Sequence, residues 1–337
     1  MTSPINRRSK RKYRNIYVDF TDQNKKRILR ILKSVKRRWR IAYLLNENFQ
    51  DRRFLKNFDA SVETLTLARI NCATPTKNIF LFPRLKSLNM MSCNEHLITN
   101  FKNCRTLSEL QVSESESTGE SFNELLRNNK DLKKLSIIFH TSIFKTIPEQ
   151  LEFKLTKLVI DTFNEFISSD DRRSMKALML LNSQSLEFVD INPWCGTEII
   201  QVCFQMRNLR DLTFNAKNRE DDLNWNLSSN STIQRIHIRD VSDYEHVSFY
   251  DQIFKSAPRL EVYKSKIMHS EDLLALSLRC ENIQELYIEE FNVSSLPAEN
   301  CFKNFTRFKS WDTNDDLMRN LMDKGAKNMF EQQILTQ

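Results

Sequence analysis

Residues 85–107 read LKSLNMMSCNEHLITNFKNCRTL. Leu85, Leu88 and Met90 open the stretch at spacings of three and then two. Side chains alternate along an extended backbone, so Leu88 and Met90 share one side of a short strand. Cys93 stands where a small, half-buried residue closes the turn, and Leu97, Ile98 and Phe101 follow at helical spacing. Cys104 then leads into Leu107, where the pattern restarts. A strand, a turn and a short helix of this size cannot bury their apolar side alone, so the unit needs copies of itself.

Copies run along the chain. The first apolar position recurs at Val62, Leu85, Leu107, Leu132, Leu155, Leu186, Leu209, Ile233, Leu260, Ile283 and Phe308. Three and five residues later stand pairs such as Leu65 and Leu67, Leu88 and Met90, Leu212 and Phe214, and Leu286 and Ile288, with Trp311 and Thr313 as the last. The steps between units run from 22 to 27 residues, except for 31 between Leu155 and Leu186. That period is the one of leucine-rich repeats. It predicts an α/β leucine-rich-repeat solenoid over 57–313, a ribonuclease-inhibitor-like horseshoe of about eleven irregular repeats with helical caps. The plainer alternative is a globular α/β domain with evenly spaced strands. The long step predicts a loop or helix over Phe163 to Arg173, and Ser113 to Ser121, SESESTGES, reads as an irregular loop.

Charge is unevenly divided. The chain has 337 residues and a net charge of +8, but residues 1–56 carry 18 Lys/Arg against 4 Asp/Glu. The remainder is therefore net acidic, and the basic character belongs to the N-terminal arm. Residues 1–15 read as a basic disordered tail that could serve nuclear import. Residues 24–46 read as a basic amphipathic helix, with Ile28, Ile31, Leu32, Val35, Trp39 and Ala42 on one face. It would cap the solenoid, within an N-terminal cap over 16–56. Leu317, Leu321, Met329 and Phe330 suggest a second helical cap over 314–337.

Several function classes find no support. Three glycines argue against phosphate-cradling loops. Seven cysteines without close pairs argue against a disulfide framework, and Cys104 and Cys280 share one repeat position, three residues before a strand Leu or Ile, which is a packing role. His96, His140, His237, His246 and His269 are scattered, no zinc-binding spacing occurs, and no cofactor motif is present. A nucleophile reading of Cys195 or Cys203 would need a histidine beside it in space. The reading is of a non-enzymatic protein without metal or cofactor. No apolar run is long enough to span a membrane and no secretory signal is visible, so the expectation is a reducing cytoplasmic or nuclear setting.

Val35, Arg37, Arg38 and Trp39 resemble the Val-Cys-Lys-Arg-Trp run near the end of an F-box motif, with Lys36 in place of the Cys. The order of this run and then Cys-containing repeats is similar to F-box/leucine-rich-repeat proteins. The F-box is partial, because the Leu-Pro that opens the family's motif is missing upstream. The resemblance implies a substrate-recognition subunit of a cullin-RING ubiquitin ligase. Val35, Arg37, Arg38 and Trp39 would bind a Skp-type adaptor, and the repeats would hold a protein substrate. The alternative is a leucine-rich-repeat adaptor or scaffold with no role in ubiquitylation.

Partner contacts are expected on the concave sheet, from strand residues lying between the buried positions. The C-terminal third is the most pointed, with Arg235, His237 and Arg239, then Lys264 and Lys266, then Glu285, Tyr287 and Glu289. Two basic rows beside an acidic, tyrosine-bearing row fit a protein ligand with an acidic segment. Alternating basic and acidic rows disfavour nucleic acid. The plainer reading is that these charges pair across strands and solvate an open face.

Overall fold

Within every repeat the same two strand positions turn inward, and pairing with neighbouring strands stacks them into continuous apolar rows. The computed structural model describes residues 14–19, 39–49, 61–72, 82–113, 120–139, 151–162, 168–216, 226–241, 247–293 and 306–312. They belong to two units, Met1–Phe153 and Lys154–Gln337.

The first unit holds β1 (Arg14–Asp19), β2 (Trp39–Phe49), β3 (Thr64–Cys72), β4 (Ser87–Met91), β5 (Glu109–Ser113) and β6 (Lys134–Phe139), each paired in parallel with the next. One row runs Ala42, Leu65, Leu88, Leu110 and Leu135; the other runs Val18, Leu44, Leu67, Met90, Val112 and Ile137, and all of these are buried. Helices α1 (Glu95–Thr99) and α2 (Glu120–Asn128) cross between strands and bury Leu97, Ile98, Phe122, Leu125 and Leu126. Asn94 starts α1 because its side chain accepts the Leu97 amide at 3.3 Å, one of the donors a helix N-terminus leaves unpaired.

The second unit holds β7 (Lys157–Thr162), β8 (Phe188–Ile191), β9 (Asp211–Ala216), β10 (Arg235–Val241), β11 (Val262–His269), β12 (Glu285–Asn292) and β13 (Arg307–Asp312), again parallel and in chain order. Its first row is Leu158, Val189, Leu212, Ile236, Tyr263, Leu286 and Phe308. Its second row is Ile160, Ile191, Phe214, Ile238, Ser265, Ile288 and Ser310. Helices α3 (Ser169–Leu181), α4 (Thr197–Phe204), α5 (Val247–Ser256) and α6 (Ser270–Arg279) complete it. The long step is taken up by α3, which at 13 residues is the longest described helix. Where the row reaches Ser265, rings gather: Tyr250 and Phe254 stack with centroids 6.2 Å apart, and Tyr263 meets Phe254 edge to face at 5.1 Å.

The turns that lead from helix into strand carry a second repeated device. Asn129 accepts the Leu107 amide at 2.9 Å and donates to the carbonyls of Cys104 at 2.8 Å and Leu125 at 2.7 Å. Asn182 accepts the Leu155 amide at 2.8 Å and donates to Leu178 O at 2.9 Å. Asn230 donates to Phe204 O at 3.1 Å and Met206 O at 2.8 Å. Cys280 stands at the position equivalent to Asn129, fully buried, its thiol 3.7 Å from the carbonyls of Phe254 and Ala257. The packing role expected for Cys280 is therefore extended by thiol contacts to two carbonyls that also accept the Ala257 and Leu260 amides.

Three expectations need correction. Residues 39–49 are strand β2, where a helix over 24–46 was expected, and 14–19 are strand β1, where the sequence read as tail and helical cap. Trp39, Ala42 and Leu44 carry the same three-and-two spacing as Val62, Leu65 and Leu67, and pairing of β2 with β3 selects the extended form. With these two, the described residues hold thirteen strands rather than eleven repeats. At the other end, Phe308 pairs with Leu286 and Ser310 with Ile288, so Phe308 is the strand position and Trp311 and Thr313 are not. Phe305 and Phe308 stand three apart, so the pattern reads in either register until the partner strand chooses. Ser121 lies in α2 and Ser113 in β5, both buried; residues 114–119 of the expected loop, the cap over 314–337 and residues 1–13 of the tail lie outside the described residues.

A charge placed in an apolar row has no partner and no water, whereas the same charge between rows stays hydrated. Leu110→Asp and Leu212→Asp are expected to abolish soluble expression, and Thr66→Asp to leave it intact. Asn129→Ala should cost about 2–4 kcal/mol in urea unfolding, because it orphans a buried amide and two carbonyls.

Candidate partner-binding face

Between the inward rows, alternate residues form the opposite face of each sheet, away from helices and core. In the second unit the strand register sets their order. One line runs Lys157, Phe188, Asp211, Arg235, Val262, Glu285 and Arg307, and the next runs Val159, Asp190, Thr213, His237, Lys264, Tyr287 and Lys309. Asp161, Asn215, Arg239, Lys266 and Glu289 stand two residues further along their strands, and Asn192 just past the end of β8.

The first line is largely self-compensated. Arg235 meets Asp211 at 3.1 Å, Arg307 lies 3.8 Å from Glu285, and the Lys157 ammonium sits 4.4 Å from the centre of the Phe188 ring. In the second line Tyr287 donates to Glu285 at 2.6 Å and accepts from Arg307 at 3.2 Å. The Lys264 ammonium lies 4.7 Å over the same ring, a cation–π contact that leaves its donors open to solvent. Arg239 reaches past β9 to Asp190 on β8 at 2.8 Å, with 13% of the Asp190 side chain exposed. Burial raises the Asp190 carboxyl above its ordinary value, while Arg239 opposes that shift.

The expected site residues are thus brought together: Arg235, His237 and Arg239 on β10, Lys264 and Lys266 on β11, Tyr287 and Glu289 on β12. They are not equivalent. Arg235 and Arg239 are spent on carboxylates of their own sheet. His237 faces Lys264 directly across the strand pair. Burial, with Arg239 and Lys264 nearby, depresses His237 from 6.5 to about 4, so it is neutral at pH 7. Among the described residues Lys264 and Lys266 make no ion pair with a carboxylate. Reading outward residues strand by strand overlooked Asp211 and Arg307; the visible cue was an opposite charge at the same position in the next repeat.

The first unit's open face is different. Its middle line runs Tyr17, Tyr43, Thr66, Asn89, Gln111 and Ser136, with no charged residue. Tyr17 is 67% and Tyr43 40% exposed, with ring centroids 6.4 Å apart. Trp39, expected to meet an adaptor, instead occupies the inward first position of its repeat at 5% exposure, and its amide donates to Ser61 Oγ at 3.3 Å. Val35, Arg37 and Arg38 lie outside the described residues. Burial pushes the Cys195 thiol up to about 12 and Cys203 well above its ordinary value, which removes the thiolate a nucleophile needs. Among the described residues no group of three His, Cys, Asp or Glu could hold a metal ion, and no helix is long and apolar enough to cross a membrane.

Two solved structures are similar to this chain, and the first of them bears on its fold. A chain of the Drosophila Toll–Spatzle complex is 13% identical with a TM-score of 0.52, over 88% of this chain and 43% of that one. An internalin, InlF, from Listeria monocytogenes is 14% identical with a TM-score of 0.45, over 84% of this chain and 76% of that one. The fold is a leucine-rich-repeat solenoid. No family model and no curated protein matches the sequence. The present chain spans less than half the length of the Toll chain it resembles.

Removing Arg239 would strand the Asp190 carboxylate in a desolvated position. Arg239→Met is expected to lower stability at pH 7 by about 2–4 kcal/mol, and Asp190→Asn/Arg239→Met to recover part of that loss, measured as a double-mutant cycle. His237 has a folded pKa below its unfolded value, so its contribution is full above pH 6.5 and is lost as pH falls toward about 4. His237→Gln should therefore reduce the acid destabilisation over that interval, read from urea midpoints.

Proposed function

We propose that this chain is a protein-interaction module that takes an acidic segment of a partner protein on the open face of its second unit. The observation that carries the reading is the open basic pair: Lys264 beside His237 and Lys266 two residues on, with Arg235, Arg239 and Glu285 nearby already matched and Glu289 at the outer edge beside Lys266. An acidic chain laid there gains cations without breaking an existing ion pair. A basic partner would meet Lys264 and Lys266 unshielded. The first unit's uncharged tyrosine-bearing line supplies amphipathic contact area that is indifferent to partner charge.

Within that reading we propose a substrate receptor similar to F-box/leucine-rich-repeat subunits of a cullin-RING ubiquitin ligase, acting in the cytoplasm or nucleus without catalytic residues of its own. Support comes from the Val35 to Trp39 run followed by repeats. The second reading is an adaptor or scaffold without ubiquitin chemistry, and a specific observation favours it: Trp39 is packed inside the first unit and is not offered to an adaptor. Toll is described in complex with Spatzle. That likeness, at 13% identity, bears on the fold alone.

A labelled Asp-rich peptide should bind the full chain in an anisotropy titration and weaken as salt rises. Lys264→Glu/Lys266→Glu should weaken it at least about tenfold, or about 1.4 kcal/mol. Lys86→Glu/Arg105→Glu, the same charge change on the first unit, should not. Equal losses in both variants would reduce the effect to net charge. Pull-down of purified Skp-type adaptor beside an intact F-box control separates the receptor from the scaffold.

A further inference from the structure

His237 is a half-buried imidazole at the centre of this face. It lies in the middle line, paired with Thr213 on β9 and with Lys264 on β11. Asp211 and Asn215 flank it on the β9 side, and Lys264 and Lys266 on the β11 side. Arg235 and Arg239 precede and follow it on β10. The one carboxylate among these neighbours, Asp211, is held by Arg235 at 3.1 Å, and Arg239 is turned toward Asp190 at 2.8 Å. The ring is thus half-buried among cations with no free anion beside it. In that setting a proton is disfavoured, and burial and the two cations together hold the group near 4.

An acidic segment laid over Lys264 and Lys266 reverses that environment. Its carboxylates would occupy the space next to the imidazole, neutralise the field of the two lysines and offer acceptors to a ring N–H. Both changes favour imidazolium. We propose that docking of an acidic segment on this face takes up one proton, and that His237 receives it. This rests on the docking reading given above and adds to it a direction: the complex tightens as the surroundings acidify. The step is a simple proton transfer from solvent to a ring nitrogen, with no bond formed to the ligand. By linkage, affinity rises by up to about tenfold per pH unit between the bound and free pKa values of the group. Histidine alone among side chains has an unperturbed pKa in reach of that interval.

The test uses the full chain and an Asp-rich peptide, whose side chains stay ionised well above about pH 4. Anisotropy titrations between about pH 5 and about pH 7.5 should show tightening toward acid. Calorimetry at one pH in buffers of different ionisation heat should give a binding heat that varies with the buffer, in proportion to about one proton taken up. His237→Gln, checked for its fold by circular dichroism, should flatten the pH dependence and remove the buffer dependence. NMR of the imidazole should show it neutral in the free protein at pH 6 and protonated in the complex. Binding with no pH or buffer dependence overturns the proton uptake and leaves the docking reading standing. The same slope in His237→Gln overturns the assignment to His237. No binding at any pH overturns both.

Discussion

Parallel pairing of each strand with the next, in register, is the constraint on which everything else in each unit depends. Side-chain direction alternates with a period of two, so one residue of slip would turn every inward leucine to solvent and every outward lysine into the core. The register holds because both inward lines are apolar over almost their whole length, and burying each such side chain contributes roughly 1.5–3 kcal/mol. The same register, carried through to the opposite face, decides which charges become neighbours. Packing and recognition are therefore two readings of a single alignment.

The outward charges show how that alignment works. Residues at equivalent positions in successive repeats face each other across adjacent strands. Asp211 with Arg235, and Glu285 with Arg307, are such pairs, and they cancel within the sheet. Arg239 skips a strand to reach Asp190, which leaves β11 with two lysines whose strand neighbours offer no carboxylate held against them. A face of this kind is selective through what it has already matched as much as through what it leaves open.

Much of this was legible in the amino-acid order because leucine spacing is a local property with a long echo. Leu88 and Met90, or Leu212 and Phe214, could be placed inward without coordinates, and so could the outward Lys264 and Tyr287. What could not be read depended on partners. Trp39 and Ala42 stand three apart, which suits a helix or a strand, and only β3 beside them decides. Phe308 had the same ambiguity against β12. The turn asparagines escaped notice because their bonds go to backbone atoms more than twenty residues earlier, which no spacing of side chains reveals. For the site, the positions were visible but their charge states were not: that Arg239 is engaged and Lys264 is open follows from reach across strands.

The turn residues also impose an order in time. Asn129 closes the Leu107 amide and the Cys104 carbonyl of the preceding turn, Asn182 the Leu155 amide, and Asn230 the carbonyls of Phe204 and Met206. Each coil is finished by the one that follows it. As the polypeptide leaves the ribosome, each of these turns therefore carries backbone groups still waiting for a partner not yet synthesised. At these turns maturation lags the growing end by one repeat.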